Sequence, residues 1–273
     1  MNHLEKRMIE LLLDLKENHN VIGIKAEFEA EGTRMEEALR LKEVITRAGL
    51  DLSIKIGGCE ALKDMYEART IGVNAIIAPM IESPYALKKY IQSTKLAFPE
   101  EERADVAFLI NIETITGFHN FSEMLEIPEA KDLTGIVLGR VDMTGSMGLS
   151  RDDINSDQIL NLAQVLAQKT TAHDKKLIIG GGVSSDSLPF FRQLPEGSLY
   201  KFETRKIIFD AQKALAGNTS EESLVKAVGF ELMWLKNKRD YYGLIFQEDI
   251  ARITMLETRY KALIEKFGGV AYA

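Results

Sequence analysis

The chain has 273 residues, of which 45% are hydrophobic and 27% are charged, and its formal net charge is −7. Its length and composition are typical of a globular protein with a sizeable core. The negative charge disfavours a nucleic-acid surface, no apolar stretch reaches the 18 residues of a membrane span, and a single cysteine, Cys59, excludes a disulfide within the chain. We therefore expect a cytoplasmic protein that binds neither nucleic acid nor membrane.

Short apolar runs predict seven β-strands along the chain. Most of these runs are continuous rather than alternating, which is typical of parallel strands that are covered on both faces. The predicted strands span residues 21–29, 52–57, 73–80, 106–113, 135–142, 176–181 and 199–204.

Helical patterns separate the strands, at residues 33–49, 59–72, 83–94, 120–130 and 156–173. Repeated β-then-α units predict a parallel sheet with right-handed crossovers. The expected fold class is α/β, a TIM (β/α)8-type barrel with extra C-terminal helices, whose eighth strand is either hidden or replaced by an N-terminal segment. An open doubly wound sheet is the alternative, and the lack of a G-x-G-x-x-G turn after the first strand disfavours it.

The pattern changes at about residue 220 to two predicted helices of more than 20 residues each. Repeats of a barrel this size do not require helices of that length. We assign residues 1–219 to the barrel with its N-terminal helix. Residues 220–273 form a helical extension that packs on the barrel or on a neighbouring subunit.

Two carboxylates close apolar runs on consecutive units, Glu113 and Asp142. Ligands of parallel α/β proteins sit at the carboxyl ends of the strands, and two carboxylates that meet there repel each other unless a cation lies between them. Mg²⁺ or Mn²⁺ accepts such oxygen ligands. The alternative is that one or both carboxylates cap the next helix or pair with a lysine.

Cations also stand at strand ends, and Lys55 and Arg140 could hold a substrate carboxylate. The alternatives are salt bridges to Glu27 or Glu113, and a Schiff-base role for Lys55 or Lys25. His119 follows Glu113 by six residues and lies either near the site or on a helix surface. Further candidates at the strand ends are Lys25, Glu27, Glu29, Gly57, Gly58, Pro79, Met80 and Arg205.

Three stretches, "APMIES", "INIETITGFHN" and "VLGRVDMTGSMGL", resemble the HpcH/HpaI aldolase and citrate lyase β-subunit family of the phosphoenolpyruvate/pyruvate barrel superfamily. The resemblance covers roughly residues 20–210 and is best over 73–149. It implies that Glu113 and Asp142 bind Mg²⁺ or Mn²⁺. It also implies a carbon–carbon lyase or aldolase that acts on a pyruvate- or oxaloacetate-like 2-oxo acid through a metal-stabilised enolate, in a homo-oligomer, trimer or hexamer.

The sequence departs from that family pattern at two positions. Ala30 stands where the family has a histidine, the presumed base, so that Glu27 and Glu29 are the acids available there. Lys55 falls near the position of the family's substrate-binding arginine. These departures keep two alternatives open, a citrate-lyase-β-like acyl-CoA lyase and a non-catalytic barrel that binds a metal or another ligand.

Overall fold

Eight strands close into one barrel, and they follow one another around it in chain order. The structure, a computed structural model, describes residues 1–217 and 220–268. The strands are β1 (Val21–Glu27), β2 (Asp51–Lys55), β3 (Ala75–Ala78), β4 (Ala107–Ile112), β5 (Gly135–Gly139), β6 (Lys176–Gly180), β7 (Leu199–Glu203) and β8 (Ile207–Asp210).

Helices connect most of the strands and also precede and follow them. They are α1 (His3–His19), α2 (Met35–Ala48), α3 (Leu62–Ile71), α4 (Pro84–Ala97), α5 (Glu100–Arg103), α6 (Ile115–Glu126), α7 (Arg140–Ser146), α8 (Asp157–Ala172), α9 (Leu188–Arg192), α10 (Ala211–Ala216) and α11 (Ser220–Phe267). Ser83 caps α4 and Thr114 caps α6, each through its side-chain oxygen.

The eighth strand differs from the predicted parallel arrangement. Strands β1 to β7 pair in parallel, whereas β8 runs antiparallel to both of its neighbours, β7 and β1. Only residues 204–206 separate β7 from β8, and a parallel crossover needs a dozen residues or more. The Thr204 N–H donates to the Ile207 carbonyl and closes a tight turn (2.9 Å). The prediction of seven strands therefore missed one, which is the second arm of a hairpin.

Strand alternation divides the apolar residues between two layers. Side chains from seven strands, among them Ile77, Leu109, Ile178 and Ile208, line one cavity and so face the barrel interior. The intervening residues, such as Ile76 and Ile110, are fully buried and point toward the surrounding helices. Interior positions nearer the carboxyl ends carry polar side chains, and this places the candidate site.

The chain divides into two compact units at Glu231 and Leu232, within α11. The sequence predicted two helices after residue 220, but α11 is one continuous helix of 48 residues. Gly243 does not end it, because one glycine in a helix costs only about 1 kcal/mol and no proline follows. None of the described helices combines the length and apolar character needed to cross a bilayer.

Candidate active site

Buried polar side chains occupy the carboxyl end of the barrel. They lie on four strands or directly after them, and they are Lys25, Glu27, Lys55, Asn111, Glu113 and Glu203. Burying a charge is costly unless a partner charge or hydrogen bonds compensate it. The pairing among these six groups therefore determines what the site can do.

Glu113 is a buried carboxylate at this end of the barrel, and both of its oxygens accept hydrogen bonds. Its Oε1 accepts a hydrogen bond from the Met80 N–H (3.0 Å) and its Oε2 accepts one from Asn111 Nδ2 (2.7 Å). Gly139 makes room for it, because a Cβ there would lie 2.8 Å from Glu113 Oε2. Burial raises the pKa of Glu113 above its ordinary value, and the charge of Asp142 adds to that effect.

Met80 has an unusual backbone conformation beside Glu113. Its φ is +52°, a left-handed conformation that side-chain-bearing residues rarely adopt. This conformation aims its N–H at Glu113, while its side chain is 47% exposed. Backbone strain of this kind persists where the surrounding structure enforces it, and it clusters at functional sites.

Replacing Met80 with glycine should therefore stabilise the protein. Relief of the left-handed conformation is worth about 1–2 kcal/mol, and the greater backbone freedom of glycine offsets roughly half of that. We expect a net gain of about 0.5–1 kcal/mol in the free energy of unfolding, measured by urea denaturation. Met80→Leu keeps the strained backbone and should show no gain, and equal effects of the two substitutions would contradict the strain argument.

Lys55 lies between two carboxylates at the end of β2. Its Nζ is 2.9 Å from Glu29 Oε2 and 3.7 Å from Glu113 Oε2. Burial alone would lower the pKa of Lys55, but the charges of Glu113 and Glu29 raise it above the ordinary value. Lys55 is thus a stable ammonium group next to Glu113, as one of the sequence alternatives anticipated.

Lys25 forms the second buried pair, with Glu203 of β7 at 2.6 Å and with Glu27 at 3.3 Å. These two carboxylates outweigh the effect of burial and raise the pKa of Lys25. A Schiff base requires a neutral amine, so the environment of neither Lys25 nor Lys55 suits that chemistry. Lys25 was predicted to bind substrate, but its ammonium group is engaged by Glu203 and Glu27 within the protein.

Asp142 lies in the first turn of α7 and is exposed. Its charge acts on the pKa of Glu113 and raises it. Glu113 directly follows β4 and Asp142 lies in the helix that follows β5, and parallel strands deliver their carboxyl ends to the same mouth of a barrel.

Arg140 does not join this cluster, contrary to the prediction that it holds a substrate. It is fully buried, and burial lowers its pKa. Its guanidinium stacks near the rings of Phe190 and Phe191. Its donors are used by protein acceptors, namely the carbonyls of Gly180 and Gly181, Asn155 Oδ1 and Ser187 Oγ, at 2.6–3.1 Å.

The remaining predicted residues divide into those at the mouth and those outside it. Pro79 and Met80 lie at the end of β3, beside Glu113. The Gly57 N–H donates a hydrogen bond to Asp64 Oδ2 (2.7 Å), and Gly58 follows Gly57 in the same loop after β2. Arg205 is tied to Glu31 (2.9 Å). His119 is exposed on α6 with its ring against Phe118, which corresponds to the helix-surface alternative.

Two residues of the cluster, Asn111 and Glu203, stand at predicted strand ends but were not assigned to the predicted site. Asn111 lies two residues before Glu113 and therefore on the same face of β4. Glu203 ends β7 in the same way that Glu27 ends β1. Strand alternation counted back from each terminal carboxylate is the signal that could have found Asn111.

The residues of the mouth fit a hard divalent cation. Glu113 and Asp142 offer carboxylate oxygens, and the buried Asn111 Oδ1 beside them has no hydrogen-bond partner. Within residues 1–217 and 220–268, no cluster of three or more His, Cys, Asp or Glu side chains suits a metal ion. A cation held by these two carboxylates would complete its coordination with water or substrate oxygens, as Mg²⁺ usually does.

Comparison with known proteins gives a family match and a set of similar folds. A family model described as HpcH/HpaI aldolase/citrate lyase matches residues 35–181, which is more than half of the chain and contains Lys55, Glu113 and Asp142. No curated protein sequence matches the chain.

Several solved structures share the fold. Citrate synthase SbnG aligns with a TM-score of 0.58 and 14% identity over 81% of this chain and 90% of that chain. An HpcH/HpaI aldolase from Desulfitobacterium hafniense DCB-2 aligns with a TM-score of 0.58 and 9% identity, over 72% of this chain and 81% of that one. An HpcH/HpaI aldolase/citrate lyase family protein from Burkholderia cenocepacia J2315 aligns with a TM-score of 0.58 and 12% identity, over 82% of this chain and 90% of that one. These similarities confirm the predicted barrel.

Proposed function

Because this chain belongs to the HpcH/HpaI aldolase/citrate lyase family, we propose that it is a carbon–carbon lyase or aldolase acting on a pyruvate- or oxaloacetate-like 2-oxo acid. In this proposal Glu113 and Asp142 hold Mg²⁺ or Mn²⁺. Such an ion, when bound, polarises a keto oxygen and stabilises the negative charge that develops on it.

The observation that carries the proposal is the setting of Glu113. Glu113 is 2% exposed and receives hydrogen bonds on both oxygens. The donors are the Met80 N–H after β3 and Asn111 of β4, so these hydrogen bonds do not cap the helix that follows. Asn111, Met80 and Gly139 together fix its orientation. Neighbouring groups that hydrogen-bond and orient a ligating carboxylate in this way are typical of metal sites.

Lys55 is the group suited to bind the substrate carboxylate. It is a stable ammonium at the mouth, 3.7 Å from Glu113, and so lies beside the oxygens that would hold the ion. A lysine acts as a point charge rather than as the bidentate fork of an arginine. Lys55 thus takes the role of binding the substrate carboxylate, which the family resemblance gave to an arginine.

We assign to the Glu29 carboxylate the role of general base, which removes a proton from the substrate carbon next to the keto group. It is half-buried at the mouth, with Oε2 2.9 Å from Lys55 Nζ. Glu27, the other candidate, is more deeply buried and paired with Lys25. A general base has to reach the substrate proton, and Glu29 is the more accessible of the two.

A melting experiment tests the metal site directly. Oxalate mimics the enolate of pyruvate, and a ligand that binds only the folded state stabilises it by about 2.7 kcal/mol at 100 times its Kd. We expect Mn²⁺ with oxalate to raise the melting temperature by roughly 5–10 °C, and Mn²⁺ to be required for the oxalate effect. Asp142→Asn and Asp142→Ala should abolish it.

Asp152→Asn is the matched control, because Asp152 is an exposed carboxylate on the segment after α7. It should keep the full response to Mn²⁺ and oxalate. If the wild-type protein melts at the same temperature with and without Mn²⁺ and oxalate, Glu113 and Asp142 are structural, and the proposed function is wrong.

A further inference from the structure

The second unit exposes a row of large apolar side chains along α11. Leu232, Leu235, Phe246, Ile253 and Leu256 are each between 52% and 65% exposed. A helix derives most of its stability from packing an apolar face, and a contiguous exposed apolar surface marks an interaction site. We therefore expect these side chains to be covered by another protein surface.

The spacing of the row specifies the kind of partner. Its positions alternate three and four residues apart, at 232, 235, 239, 242, 246, 249, 253, 256, 260, 263 and 267. All of them are apolar or aromatic except Arg239 and Asp249. Hydrophobic residues that repeat every 3.5 residues on average form the seam of a coiled coil.

Between residues 232 and 256 the row is also symmetric about Leu244. Leu232 and Leu256 each lie twelve residues from it, Leu235 and Ile253 nine, and Tyr242 and Phe246 two. The polar positions obey the same symmetry, since Arg239 and Asp249 each lie five residues from the centre. A second copy of α11 that runs antiparallel would therefore place apolar residues opposite apolar ones and Arg239 opposite the partner's Asp249, twice.

A parallel pair would have the opposite consequence. It would stack Arg239 on the partner's Arg239 and Asp249 on the partner's Asp249, and like charges opposed across an interface cost several kcal/mol. We propose that residues 232–256 of α11 pair antiparallel with the same residues of a second copy of this chain. The two Arg239–Asp249 pairs set the register, as isolated polar residues in coiled-coil seams do.

The residues that flank the seam are compatible with this pairing. Ile245 and Ile250 border it near the centre and widen the apolar surface; they are 44% and 47% exposed. Arg252, a flanking cation, forms an ion pair with Glu248 on its own helix, which reduces its repulsion with cations across the seam.

Charge reversal tests the register. Arg239→Asp places Asp opposite the partner's Asp249, and Asp249→Arg places Arg opposite the partner's Arg239. Each single change should weaken dimerisation at least tenfold, measured by sedimentation equilibrium on the full chain. The double variant R239D/D249R restores opposite charges and should recover the wild-type Kd to within about threefold. Both residues are exposed in the single chain, so helix content by circular dichroism should not change.

Disulfide trapping tests the direction. In a Cys59→Ser background, Leu235→Cys chains mixed with Ile253→Cys chains should form cross-linked dimers, while neither variant alone should do so. In the antiparallel pair, two Leu235 positions lie about 27 Å apart, from 18 residues at 1.5 Å each, and a disulfide needs Cα atoms within about 7 Å. Cross-linking of each variant with itself, or a monomeric chain at 100 µM, would overturn the proposal.

Discussion

Glu113→Gln should lose metal-dependent proton exchange at C3 of pyruvate by a factor on the order of 10²–10³, the loss that follows removal of one electrostatic stabiliser. The substitution keeps the size of the side chain and its acceptor for the Met80 N–H, but it removes the charge that would hold the ion. Exchange is followed by proton nuclear magnetic resonance in D₂O, with Mn²⁺ or Mg²⁺ and after chelation by EDTA.

The same substitution should not unfold the protein. Burial raises the pKa of Glu113, so ionising this carboxylate costs the folded state free energy at neutral pH. A neutral amide avoids that cost, and the urea midpoint of Glu113→Gln at pH 7 in EDTA should equal or exceed that of the wild type.

Glu82→Gln is the control for the activity measurement. Glu82 lies in the neighbouring loop after β3 and accepts a hydrogen bond from Thr114 Oγ1, which a glutamine oxygen can also accept. It should retain exchange to within a few-fold. Metal-dependent exchange that survives in Glu113→Gln, or that falls equally in both variants, would contradict the assignment of Glu113.

The barrel was predictable because its physical signals are local. Continuous apolar runs such as 135–139 specify strands buried on both faces, and Ser83 with Pro84 specifies a helix start. The eighth strand escaped prediction because its apolar run is only three residues long, Ile207 to Phe209, and follows β7 after a three-residue turn. Its antiparallel direction follows from that turn, which the pattern of helical spacers did not reveal.

The site was predictable only to the level of strand ends. The rule that ligands sit at the carboxyl ends of parallel strands led to Glu113 and Lys55, which lie 3.7 Å apart, and to Asp142, whose charge acts on Glu113. It could not distinguish Arg140, which also follows a strand but donates its hydrogen bonds to the carbonyls of Gly180 and Gly181 and to the side chains of Asn155 and Ser187. The direction of the Arg140 side chain depends on its packing against α9 and the loop before it. The sequence of β5 carries no information about that packing.

The ion pair of Lys25 was also not predictable from the local sequence. The sequence predicted a substrate-binding lysine, and the structure gives a cation between Glu203 and Glu27. The partner Glu203 is 178 residues away along the chain, so the pair exists only because the barrel closes between β7 and β1 through β8. Such a contact requires the closed topology, which no local pattern supplies.

Lys25→Met should destabilise the protein by about 3–5 kcal/mol, because removing one partner of a buried ion pair leaves uncompensated charge in the interior. Methionine approximates the shape of the lysine stem, so the loss reflects charge rather than a cavity. The free energy of unfolding is measured by urea denaturation at pH 7. Adding Glu203→Gln should recover more than 1 kcal/mol, since the two residues form one coupled pair.

Lys63→Met is the matched control for this measurement. Lys63 pairs with Glu67 at 2.6 Å, the same distance as Lys25 and Glu203, but its side chain is 81% exposed. Surface ion pairs contribute little, so this substitution should leave the free energy of unfolding nearly unchanged. A loss in Lys25→Met no larger than that in Lys63→Met would show that Lys25 does not compensate the carboxylates. A large loss restored by Glu203→Gln would show that the acidic mouth of this barrel depends on the cation beneath it.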